Sequence, residues 1–135
     1  MDNRTKKLAS LLVNYSCHLE ENEKLLIQYD GESARPLVKE IIRECYSTGA
    51  LPFVNISDPA ISREILMDIK DEQIETMTKH QLAQMKDMDA YIAVRASDNP
   101  FELSDVPVSN MNRYYLGTKE VLDYRVNSTK WVVLR

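Results

Sequence analysis

Apolar residues recur along the chain at two spacings, and the spacing switches from one segment to the next. Over residues 4–20, Leu8, Leu11, Leu12, Tyr15 and Leu19 fall three and four apart, which is one face of an amphipathic helix. Glu20, Glu21, Asn22 and Glu23 interrupt that periodicity, and Asn22 tolerates the left-handed backbone found at helix ends. Residues 24–29 (KLLIQY) form a short, nearly continuous apolar run, which suits a strand covered on both faces. A polar turn follows at residues 30–33, with Ser33 as the predicted N-cap and Pro36 in the first helical turn. The helix it opens places Leu37, Ile41, Ile42, Cys45 and Tyr46 on one side and stops at Gly49.

Residues 51–56 (LPFVNI) read as a second strand, with Pro52 at its start, where no ladder donor is required. Ser57, Asp58 and Pro59 open another helix, with Ile61, Ile65, Leu66 and Ile69 expected inward. Asp71 and Glu72 begin the next, acid at the positive end of the dipole, with Ile74, Met77, Leu82, Met85 and Met88 as its apolar positions. Residues 89–96 (DAYIAVRA) are a third strand, closed by Ser97, Asp98, Asn99 and Pro100. A long helix is predicted over residues 107–127, although Gly117 weakens it by roughly 1 kcal/mol. Residues 130–135 (KWVVLR) are a fourth strand.

Strands that alternate with helices predict one α/β domain over residues 1–135. The expected architecture is three-layered and doubly wound: a mostly parallel sheet of about four strands, helices on both faces and right-handed crossovers. No internal repeat, low-complexity tract or linker divides the chain. A buried-type strand at its end is consistent with the front part of a longer protein.

Composition narrows the classes of function. Of 135 residues, 44% are apolar, enough for a packed core and too many for a disordered tail. The balance of 21 acidic and 17 basic side chains gives a net charge of −4, which argues against a nucleic-acid partner. No apolar run approaches the ~20 residues of a membrane span, and the first residues do not form a signal-peptide block. Cys17 and Cys45 sit within helical segments and read as reduced, inert core thiols of a cytoplasmic protein. Gly31, Gly49 and Gly117 are too far apart to build a phosphate-cradling loop.

Candidate chemistry is sparse. The histidines are His18 and His80, neither in a zinc-binding spacing, and both are expected at the surface. The clusters Glu20, Glu21, Glu23 and Asp71, Glu72 are accounted for by solvation and helix dipoles rather than by acid–base work. No nucleophile elbow occurs. Open parallel sheets bind ligands beyond the carboxyl ends of their strands. Those ends carry Asp30 after the first strand and Arg95, Asp98 and Asn99 after the third. Arg95 ends an apolar strand and its forked guanidinium suits a carboxylate, so Arg95 and Asn99 are the candidate ligand-binding residues. The alternative is a structural salt bridge from Arg95 to Asp98, Glu102 or Asp105.

The chain also resembles a known family, the cytosolic metalloaminopeptidases of the aminopeptidase S and T type. The resemblance rests on residues 7–16 (KLASLLVNYS), 23–28 (EKLLIQ), 34–54 (ARPLVKEIIRECYSTGALPFV), 91–107 (YIAVRASDNPFELSDVP) and 130–135 (KWVVLR), in that order. Asn22 departs from it, since a glycine is expected before the first strand; a left-handed turn accepts both. The resemblance implies the amino-terminal domain of an enzyme that removes amino-terminal residues from peptides with two divalent metal ions. The family's metal ions, zinc, cobalt or magnesium, are held by Glu, His and Asp of its carboxyl-terminal domain. No catalytic or metal residue therefore carries over to this chain, which is expected to be inactive alone and to support a homodimer in the full enzyme. Two other roles stay open on the residues: a stand-alone module binding a small anion through Arg95 and Asn99, or a structural domain pairing through a sheet edge.

Overall fold

The computed structural model describes residues 3–97 and 102–135. Helix α1 (Asn3–Ser10) runs into a π-helical turn (Leu11–Ser16), and strand β1 (Lys24–Asp30) follows. A 3-10 turn (Glu32–Ala34) leads into α2 (Arg35–Ser47), then β2 (Leu51–Ile56). Helices α3 (Pro59–Met67) and α4 (Asp71–Lys86) precede β3 (Ala90–Arg95), and α5 (Val108–Ser128) precedes β4 (Lys130–Leu134). The four strands form one sheet in the order β2-β1-β3-β4, every neighbouring pair parallel. The expected α/β sheet with helices on both faces is thus the one found.

Alternation along the two central strands divides the core between the faces. Leu25 and Ile27 of β1, with Ala90, Ile92 and Val94 of β3, pack against Val13, Val38, Ile41 and Cys45 on one side. Leu26, Tyr91 and Ala93 pack against Met85, Met88 and Val121 on the other. A third cluster of Leu66, Ile69, Ile74 and Val106 ties α3 to α4 and α5. The close approach of α5 to α4 depends on Gly117, where an added Cβ would lie 2.3 Å from Ile74 Cγ2. The glycine that weakens the helix locally is what lets the two helices meet.

Several local expectations change. The first helix does not continue to residue 20, because the π-turn bonds residue i to i+5; Cys17 N–H donates to Leu12 O at 2.9 Å. The wider turn rotates the inward face, so Leu12, Val13 and Cys17 are buried while Tyr15 is 80% exposed and Leu11 also faces out. His18, with φ 45°, takes the left-handed position after that turn, and Asn22, with φ 67°, takes a second one before β1. Ser33 is not an N-cap: it lies inside the 3-10 turn, and its hydroxyl donates to Ala96 O at 3.4 Å. Tyr46 faces out while Val38 takes the inward place. On α3, Ile61 and Ile65 are exposed and only Leu66 and the following Ile69 are buried. That helix packs on other helices, not on the sheet, so a narrow stripe is enough to bury it. Asp58 caps it, accepting from Ala60 N at 3.0 Å.

Candidate functional site

The strand order reverses between β1 and β3: β1 leads outward to β2, and β3 leads outward the other way to β4. This is the switch point of a doubly wound sheet, where helices on opposite faces diverge and leave a crevice. Asp30 and Arg95 are register partners at the carboxyl ends of these strands. The chain is locked there by backbone. Ala96 N donates to Asp30 O at 3.1 Å and to Asp30 Oδ1 at 3.0 Å. Gly31 has φ 87°, and a Cβ on it would stand 2.1 Å from Ala96 O.

Beside this junction, on the α4–α5 side of the sheet, lies a cavity of about 400 Å³. Gln28 and Asp30 of β1 with Tyr91 and Arg95 of β3 form its floor, and Arg125 and Tyr115 of α5 form part of its wall. Asn55 and Gln84 close one side through a reciprocal amide pair, at 2.7 and 3.3 Å. The Arg125 guanidinium stacks over the Tyr91 ring with Cζ 4.0 Å from the centroid. Its Nε is shut off from solvent and has no hydrogen-bond partner among the described residues. Burial pushes the Tyr91 phenol up, with Arg125 and then Arg95 opposing, so the hydroxyl stays protonated at neutral pH and is available as a donor.

Arg95 therefore reaches the place the strand ends predict, while Asn99, and Asp98 with it, lie outside the described residues. The salt bridge to Asp105 is corrected: Asp105 pairs with Arg63 instead. No hydrogen bond or ion pair to the Arg95 guanidinium is found among the described residues. Arg125 was not singled out from sequence. It sits in a helix with no distinguishing spacing, thirty residues from Arg95, and only the β3–α5–β4 crossover brings both to one cavity.

The other polar groups have structural employment. Glu23 Oε1 accepts from Lys130 Nζ at 2.7 Å, and the same ammonium donates to His18 O at 2.8 Å, tying β4 to the turn before β1. Asp71 pairs with Arg113 at 2.5 Å. His18 and His80 are both exposed. Cys17 and Cys45 are free and buried, and burial pushes both thiols up to about 11.

The architecture and this crevice define the class: a doubly wound, all-parallel α/β domain with a polar cavity at its switch point. The chain belongs to the thermophilic metalloprotease (M29) family, which it matches over residues 1–133. Among solved structures, wild-type AmpT from Thermus thermophilus superimposes with a TM-score of 0.70 at 21% identity. The match covers 96% of this chain and 35% of that one, so the chain spans about a third of the length of this relative. No match is found among curated proteins.

A metalloprotease family implies a metal ion. Among the described residues, no group of three or more His, Cys, Asp or Glu side chains is placed to hold one. The two histidines belong to separate elements, and the buried thiols resist the thiolate form that a metal needs. The donor set of the described residues does not fit a metal centre, and no catalytic step is assigned to them. No helix among the described residues is long and apolar enough to cross a membrane.

Proposed function

We propose that the chain is the amino-terminal, non-catalytic part of a metal-dependent aminopeptidase, an enzyme that takes amino-terminal residues from peptides in the cytoplasm. One observation carries this reading. The chain matches a metalloprotease family almost end to end, yet it covers only 35% of a family-fold relative, and its described residues assemble no metal-ligand cluster. The ions, zinc, cobalt or magnesium, would then be bound by the rest of the polypeptide. The domain would contribute a rigid wall to the substrate chamber and a surface for a homodimer, a role that suits a sheet whose central strands are buried over residues 25–27 and 90–94.

The test is a peptide-hydrolysis assay on the 135-residue chain with an aminoacyl reporter and added zinc, cobalt or magnesium. No turnover above the metal-only blank is expected. Turnover that a chelator abolishes would overturn the assignment.

A further inference from the structure

Arginines in this acidic chain are normally paired. Arg35 meets Glu32, Arg43 meets Glu40, Arg63 meets Asp105 and Arg113 meets Asp71. Arg95, Arg125 and the terminal Arg135 make no such pair among the described residues, and the first two line the same cavity. Neither has a carboxylate partner among the described residues, although the sequence holds 21 acidic side chains against 17 basic ones. The stack on Tyr91 satisfies one face of Arg125 but leaves its in-plane N–H donors open, and the orphaned Nε is already out of water. A shielded guanidinium donor without an acceptor costs free energy that a bound oxygen would recover. Gln28 adds a side-chain amide to the same floor, and that amide has no hydrogen-bond partner among the described residues.

We propose that this cavity binds the carboxylate of a small organic acid of amino-acid to dipeptide size, with Arg95 and Arg125 as its cationic contacts. Charge and shape choose the ligand class. Among the described residues, the ionisable groups lining the cavity other than tyrosines are two guanidiniums and the Asp30 carboxylate, a surplus of one positive charge. That balance matches a monoanion better than a phosphate dianion. Planar guanidinium forks suit a planar carboxylate. The remaining wall is mixed: Met85, Val121, Leu122, Tyr114 and Tyr115 are apolar or aromatic, while Asn55, Ser57, Gln81, Gln84 and Thr118 are polar but uncharged, which suits a ligand with an uncharged, partly polar body behind one anionic head. A cavity of about 400 Å³ lies within the usual size range for such ligands. The inference does not rest on the aminopeptidase reading, since it concerns binding by residues outside any metal chemistry.

The test is an amide NMR titration of the 135-residue chain at fixed ionic strength, with N-acetyl-leucine, N-acetyl-leucinamide and inorganic phosphate as probes. Saturable shifts from N-acetyl-leucine are expected at Gln28, Ala93, Thr118 and Leu122. The amide analogue, which lacks only the charge, should bind at least about tenfold more weakly, as should phosphate. Arg125→Gln should weaken N-acetyl-leucine by about tenfold or more and Arg95→Gln by about fivefold. Arg95 is exposed, so its variant leaves the fold intact and decides the matter if Arg125→Gln disturbs the Tyr91 stack. Equal binding of acid and amide, tighter binding of phosphate, no saturable shift, or wild-type affinity in Arg95→Gln would overturn the proposal.

Discussion

Gly31 and Asn22 share a positive φ but differ in what surrounds them. At Asn22 the left-handed backbone is solvent-exposed, and asparagine already tolerates it. Asn22→Gly should therefore change stability by no more than about 0.5 kcal/mol. At Gly31 a Cβ would collide with the Ala96 carbonyl, a backbone group that cannot step aside. Gly31→Ala should cost about 2–5 kcal/mol, the sum of a strained dihedral and an overpacked contact, measured by urea unfolding. The thiols make a second prediction. With folded pKa values near 11 against an ordinary 9.0, the unfolded chain gives up these protons first. Stability should thus fall as pH rises from about 9 to 11, by up to about 1.4 kcal/mol per unit for each thiol. Unfolding curves across that window should flatten in Cys17→Ala and Cys45→Ala relative to the parent.

Elements meet where side chains permit, and α4 against α5 shows how this can reverse a propensity. In an isolated helix, replacing glycine by alanine gains about 1 kcal/mol. In this chain Gly117→Ala would drive a methyl into Ile74 Cγ2, and Thr78 Oγ1 donates to Gly117 O at 3.0 Å in the same contact. The substitution should instead destabilise by about 1–3 kcal/mol. Combining it with Ile74→Ala should cost less than the two single changes added, because the larger side chain is the one in the way. A double-mutant cycle by thermal or urea unfolding measures this. The π-turn after α1 is the other case. Periodicity at three and four residues selected Leu11, Leu12 and Tyr15 as inward, and a single wide turn kept Leu12 but put Val13 and Cys17 in place of Leu11 and Tyr15.

At the level of the complete chain, β2 stands out as an open edge. Leu51, Phe53, Val54 and Ile56 are exposed, Ile56 at 72%, on a strand with one free side. Unpaired backbone beside apolar side chains invites association. Light scattering should show the mass of the 135-residue chain rising with concentration, and Val54→Lys should suppress the rise. A mass that stays monomeric across the series would count against this edge as an adhesive surface. The same edge is where the domain-wall role proposed for the family enzyme would find its neighbour.

Sequence periodicity by itself determined the order of strands and helices, the parallel sheet and most of its inward residues. Each of those depends on neighbours within a few positions: an apolar run such as KLLIQY, a proline in the first turn, a glycine at a helix end. Half of the candidate site was legible in the same way, since Arg95 at the end of an apolar strand is a local anomaly. Arg125 was not, because nothing near it in the chain marks it; a crossover from β3 through α5 sets it over Tyr91. The partner of Asp105, the outward turn of Tyr15 and the need for Gly117 were fixed in space for a common reason. Each depends on which surface arrives opposite, and a one-dimensional pattern carries the spacing of side chains but not the identity of what they will meet.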